Sequence, residues 1–494
     1  MLKPISPASW DYTKAAHLLN RAGFGGPPAE IQKLADLGAG QAIASLLDYE
    51  KIPDATANPD WAKPNPGELK NYREKIRNGT PEEKRIAQRE QQQLFQRRML
   101  ELRGWWLQRM TYGPRPFQEK LTLFWHGHFA TSIEKVRNPY FMWQQNDLFR
   151  RRALGGWQEL LIETGKDPAM LLWLDQLQSK RDHPNENYAR EVMELFALGE
   201  GHYTEQDIAA AARALTGWSL SQEDQRFQFR PFIHDSGDKT FLGRTGNFNG
   251  DDVIQIIVAQ PQAAKFITAK LWNFFAGQMP DEKLNNALAA VFRTGENHFK
   301  PVLDAMFRSE EFYAPEIIRN QVKSPVQWLV GSVRMLECEL PPPLASWGMM
   351  RQLGQDLFAP PNVKGWDGGV TWITTNTLLT RYNDAQSLVE GTMPPLGAND
   401  FAKNPGGAGG ERAMKMMQRI RMGGVKLEKV LTPAERADKD AIVAALQKRL
   451  FQTTLKKDQQ EALHDFLEAK TKLNDADIIT AIRLMMSTPD YQVT

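Results

Sequence analysis

Two histidines one residue apart, His126 and His128, lie in the stretch LTLFWHGHFATS, between Trp125 and Phe129. Imidazole titrates near neutrality, so the pair could move protons or ligate a metal. In a regular helix, residues two apart point about 200° away from each other. Both rings can reach one cavity only if the helix ends between them. Gly127 offers that ending: in the left-handed conformation it would let His128 leave the helical path. The bland alternative is one packed histidine and one at the surface.

A second chemical stretch is HPNENYAREVMELFALGEGHYTEQD, His183 to Asp207. At 100° per residue, Asn187, Arg190, Glu191 and Glu194 share one narrow stripe, with Tyr188, Val192, Leu195 and Phe196 opposite. Two carboxylates at i,i+3 beside an arginine could share a proton, bind a cation or orient a polar substrate. An amphipathic surface helix with Arg–Glu pairs has the same pattern. A third stretch, FIHDSGDKTFLG, presents His234, Asp235 and Lys239 around a turn, where Asp and Gly also serve simply to reverse the chain. A fourth, GQDLFAPPNVKGWDGGVTWI, carries Asn362, Lys364, Trp366 and Trp372 in a loop rich in Pro and Gly. These, with Trp218, could form the polar and aromatic rim of a sugar or polymer site, or the indoles could anchor the loop.

The elements that must position these groups are mostly helices. PFQEKLTLFW starts on Pro116 and places Phe117, Leu121, Phe124 and Trp125 on one face. TEQDIAAAARALTGW starts on Thr204, an N-cap with Asp207 in the box position. AAKFITAKLWNFFAG and PVQWLVGSVRMLECEL are further apolar helices. The one extended piece is Arg226 to Gly243, which reads as a small hairpin, edge-like because of Pro231. The expected fold is therefore mostly α, a large multi-helix body with one small β hairpin. Residues 1–395 form the main helical domain carrying the polar site. Residues 396–412 (within which GANDFAKNPGGAGGER lies) form a flexible linker, and 413–494 a helical segment packed on the main domain. A weak internal echo links PVLDAMFRSEEFYAP to DIITAIRLMMSTPDYQVT, each an apolar helix ending in Ser, acid and aromatic.

Composition narrows the chemistry. Hydrophobic residues make up 41% of 494, enough for a substantial core. A formal charge of +2, with no basic stripe interleaved with aromatics, gives no reason to invoke nucleic acid. A single cysteine, Cys338, precludes an internal disulfide and a cysteine-based metal cluster. No segment has the length of a membrane span. The N-terminus lacks the apolar run of a signal peptide, so the chain reads as cytoplasmic as written, and as periplasmic or secreted if a leader was removed. There is no Walker loop, nucleophile elbow, His-Glu-x-x-His or dinucleotide fingerprint.

Taken together, HLLNRAGFG, LTLFWHGHFATS, NENYAREVMELFALGEGHYTEQDI, AARALTGW, HDSGDKTFLG and LGQDLFAPPNVKGWDGGVTWI resemble a bacterial family, the domain of unknown function 1800. The resemblance runs from about His17 to Arg381 and continues to the terminal STPDY. Val192 and Ala197 stand where Leu and Thr would be expected, and neither touches the polar stripe. The resemblance carries no mechanism. It implies a large, mostly helical protein that keeps these polar stretches together, and export for many relatives, which this N-terminus does not support. Three functions follow as expectations. The first is a hydrolase acting on a glycan or other polymer. In it Glu191 or Glu194 is the acid or base, Arg190 sets their charge, His126, His128 or His234 transfers protons, and Asp235 is a second acid. Asn187, Trp218, Lys239, Asn362, Lys364, Trp366 and Trp372 would bind its substrate. The second is a metal or redox-metal enzyme, with a divalent ion held by His and Glu. The third is a non-catalytic binding or assembly protein.

Overall fold

The computed structural model of the chain describes residues 2–221, 224–392, 423–453, 457–470 and 473–494. The linker expected within 396–412 lies outside them. The fold is mostly α, with two small antiparallel sheets of two strands each. No helix among the described residues is long and apolar enough to cross a membrane.

Helix boundaries follow local chemistry. Thr80 caps Pro81–Tyr112 reciprocally with Glu83, and Thr204 caps Glu205–Leu215 with Asp207, each pair satisfying two backbone N–H groups that would otherwise lack partners. Proline opens the Pro116–His128, Pro139–Arg151, Pro261–Ala276 and Pro325–Leu336 helices, where its missing N–H costs nothing.

Two apolar cores result. One gathers Tyr12–Ala22, Pro28–Leu47, Trp157–Gly165, Glu205–Leu215, Gly250–Val258 and Pro261–Ala276. The other joins the C-terminal half of Pro81–Tyr112 to Pro325–Leu336, Pro343–Gln352 and the helices Lys439–Leu450 and Asp475–Met486. The Pro116–His128 helix lies between them. It sends Phe117, Leu121, Phe124 and Trp125 into the first core and Leu123 into the second. The internal echo has a structural counterpart: Phe299–Phe307 and Asp475–Met486 each lead into a single 3₁₀ turn that buries an aromatic, Phe312 in one and Tyr491 in the other.

The extended segment is more divided than one hairpin. Strand β2 (Phe227–Phe229) pairs backward with β1 (Trp218–Leu220), whereas β3 (Lys239–Phe241) pairs forward with β4 (Arg244–Gly246). The reversal between β3 and β4 is Leu242–Gly243, both at positive φ, the turn that matches strand twist. The Asp235–Asp238 turn joins the two pairs and is not itself the tip of a hairpin.

Candidate functional site

The Pro116–His128 helix runs unbroken to His128, with Phe129 as its C-cap. Gly127 is not left-handed. The expected ending at Gly127 is therefore corrected, and the two imidazoles leave opposite sides of one helix, as helical geometry requires. His126 enters a closed polar network. Its Nε2 accepts from Asn146 Nδ2 at 3.0 Å, because Asn146 Oδ1 is taken by Arg150 Nη2 at 2.6 Å. Arg150 and Arg109 both grip the buried Glu119 through Nε at 2.7 Å, Trp106 Nε1 donates to the same carboxylate at 2.9 Å, and Arg109 reaches Asp54. Burial, and then Arg150, brings His126 down to about 3, so it is neutral and structural.

His128 faces the other way. Next to it the helix Asn187–Glu191 widens into a π-helical turn, Val192–Ala197. The end of that turn leaves carbonyls without intrahelical donors. His128 bonds the Phe196 carbonyl through Nε2 at 2.9 Å, Lys270 Nζ donates to the Leu195 carbonyl at 2.9 Å, and Gln262 donates to that of Leu198 at 3.1 Å. Burial and the nearby Lys270 hold His128 well below its ordinary value. The neutral ring donates from Nε2, so Nδ1 carries a lone pair, and that atom is buried without a partner. Burial also brings the Lys270 ammonium down to about 8.

His128 and Lys270 line an open cleft of about 530 Å³. The Pro/Gly loop lines the same cleft with Trp366, Asp367 and Trp372, and Gln321, Gln327 and Gln355 line it too. The loop docks on the helix through two glycines. Gly365 has φ +88, and a Cβ there would lie 2.4 Å from the Gly127 carbonyl oxygen. Gly127 itself opens onto free space along the cleft. Two further cleft residues, Trp366 (Nε1) and Gln321 (Oε1), also carry buried polar atoms without partners.

The polar stripe lies on the segment that supplies the Leu195 and Phe196 carbonyls. Tyr188, Ala189, Val192, Met193 and Phe196 are buried, and Arg190, Glu191 and Glu194 are half-buried, so the two faces fall where periodicity puts them. Burial, and then the charge of Glu194, raises the Glu191 carboxyl, while Arg190 and Lys364 pull it back. Tyr203 donates to Glu194 at 3.1 Å. Arg190 spends its hydrogen bonds on Glu205 and Glu186 rather than on the pair. Neither His126 nor His128 bonds either glutamate, which corrects the expected contact: each ring nitrogen with a partner is held by Asn146 or by Phe196.

The remaining candidates disperse. Asp235 is held in a two-bond ion pair by Arg213, which keeps its carboxyl below the usual range, so it is no free acid. His234 donates from Nδ1 to the Thr216 carbonyl at 2.8 Å. Lys239, 2% exposed, staples the turn by donating to the Asp235 and Gly237 carbonyls. Trp218 is core, between Tyr188 and Phe227. Asn362 bonds the Lys364 backbone N–H in an exposed turn, and Asn187 is exposed at a helix start. His126, His128 and His234 thus do not converge. Among the described residues, no three His, Cys, Asp or Glu side chains are grouped to hold a metal ion. Sequence reading missed Lys270, whose only signal was a lysine inside the apolar run FITAKLWNFF.

The chain belongs to the family described as protein of unknown function, DUF1800, which matches residues 17–493. No curated protein and no solved structure matches it.

Proposed function

We propose that this DUF1800 chain binds a glycan or similar polyhydroxylated polymer in the cleft between the Pro116–His128 helix and the Trp366–Trp372 loop. One observation carries the reading. Among the described residues 22 buried side-chain polar atoms have no partner, and three of them, on His128, Trp366 and Gln321, belong to residues lining this one cleft. Two are acceptors and one is a donor. Sugar hydroxyls both donate and accept, and pyranose faces are apolar enough to meet indole rings. The test is a titration of the full chain with soluble oligosaccharides, cellohexaose and β-1,4-linked hexaglucuronate among them, followed by tryptophan fluorescence. Saturable change that is lost in Trp366→Ala is expected, and no change with any oligosaccharide overturns the reading.

Hydrolysis is a second reading, and Glu191 favours it. A carboxyl raised by burial and by a neighbouring carboxylate suits a general acid. Glu194, one turn on, would be its partner, and Lys364, in the same loop as Trp366, acts on Glu191 through its charge. A divalent metal at the glutamates would need donors from the ligand or solvent to complete its shell.

A further inference from the structure

We infer that the cleft takes an acidic glycan, one bearing carboxylates, and that Lys270 is the residue that reads the charge. The inference rests on the glycan reading above and names its substrate class. Among the described residues Lys270 is the only lysine or arginine lining the cleft, and it comes from the Pro261–Ala276 helix rather than from the indole loop. Its ammonium makes one hydrogen bond, to the Leu195 carbonyl at 2.9 Å, and lies over the Phe266 ring at 4.7 Å. No carboxylate pairs with it among the described residues; burial is the sole influence on its titration. An ammonium has three donors, so two remain for a ligand. A buried or half-buried cation without a counter-charge is costly, and an incoming carboxylate relieves that cost.

The geometry gives more than charge. Lys270 and His128 are held by consecutive carbonyls, Leu195 and Phe196, and so stand side by side at the end of the π turn. Lys270 has N–H donors to spare, and the Nδ1 acceptor of His128, buried without a partner, becomes available to a ligand once the ring turns towards the cleft. A carboxylate with a hydroxyl nearby on the same sugar matches that pair: its oxygens accept from Lys270 and its O–H donates to His128. A neutral sugar can offer Lys270 a hydroxyl oxygen but no counter-charge. His128 is thus a positioning residue for the ligand hydroxyl, and Lys270 carries the selectivity.

The experiment compares cellohexaose with β-1,4-linked hexaglucuronate on the full chain, by tryptophan fluorescence and calorimetry. Hexaglucuronate should bind about tenfold more tightly, the effect of one partly desolvated charge pair. Lys270→Met should remove that advantage, lowering hexaglucuronate affinity about tenfold more than cellohexaose affinity. If Lys270→Met does not fold, the wild-type chain answers through pH. Raising it from about 7 to about 9.5 discharges Lys270, while His128 is already neutral and the uronates stay ionised, so the advantage should fade. Equal affinity for the two oligomers, or an advantage that survives both changes, overturns the acidic inference and leaves the glycan reading standing. Failure of both oligomers to bind overturns both.

Discussion

The two sides of the Pro116–His128 helix use the same residue type in opposite ways. On one side His126 closes a chain of contacts, Asp54 to Arg109 to Glu119 to Arg150 to Asn146, in which each charge meets its complement. On the other, His128 uses one nitrogen to hold a π turn and leaves the second bare beside an open cleft. Burial alone does not separate them, since both rings are under a tenth exposed. What separates them is polar closure. A network in which each charge meets its complement specifies the fold, whereas an unmatched polar group beside an open cleft is a candidate contact for a ligand.

The largest test of that contrast is Glu119→Ala. Removing a carboxylate that is 1% exposed leaves buried Arg150 without its counter-charge, strands the Trp106 N–H and leaves Arg109 with Asp54 alone. Breaking a buried ion pair from one side costs about 3–5 kcal/mol. Urea unfolding should show that loss, and a variant within a kcal/mol of wild type would mean that the closed side is not closed.

Gly365→Ala attacks the open side. The residue sits at φ +88, and its new Cβ would meet backbone, the Gly127 carbonyl oxygen, at 2.4 Å. Left-handed strain and a contact that only backbone movement can relieve together cost about 2–3 kcal/mol. The loop should lift from the helix and tryptophan emission should shift red. Retained emission and stability would show that the loop is not pinned at this point.

These two sites also mark how far the sequence could be read. The apolar period placed Phe117, Leu121, Phe124 and Trp125 in the core, and the capping box at Thr204 is local enough to see in a string of letters. The polar stripe was legible for the same reason. What failed was anything decided by tertiary contact. Gly127 looked like a helix stop because glycine often is one; its absent side chain instead leaves room along the cleft beside the docked loop. Asp235 looked available because Arg213, 22 residues away, is invisible as its partner until the chain folds. Lys270 was hidden in an apolar run, since its reason for being there is a carbonyl 75 residues earlier.

Acid sharpens the comparison at His126. The folded ring titrates at about 3 against an ordinary 6.5. Between those values the unfolded chain takes up a proton that the folded chain refuses, so stability falls as pH drops from about 6.5 towards about 3. The contribution is about 1.4 kcal/mol per pH unit. Buried Asp167 and Asp384, both raised to about 7, work in the opposite direction between about 3.8 and 7, so the total slope mixes the two. The clean measurement is a difference: wild type minus His126→Gln, unfolded in urea at a series of pH values. A difference that stays flat below pH about 6.5 would mean that the ring titrates normally in the fold.

The smallest effect on stability, and the most informative for chemistry, is expected of Glu194→Gln. Glu194 is half-buried, and glutamine can still accept from Tyr203, so unfolding free energy should move by less than about half a kcal/mol. Glu191 should respond nonetheless. Burial raises its carboxyl first and the Glu194 charge second, so neutralising Glu194 removes the second cause and keeps the first. Its titration, followed by carbon-13 NMR of labelled glutamate, should move down while staying above an ordinary carboxyl. If Glu191 is the acid of a hydrolase, the basic limb of the rate profile must move down with it, because the proton leaves earlier. Glu191→Gln should then abolish turnover without unfolding the chain. A Glu191 titration unmoved by the change at Glu194 would mean that the two carboxylates do not sense each other, and the pair would become two surface glutamates on a helix that serves only to present its carbonyls to His128 and Lys270.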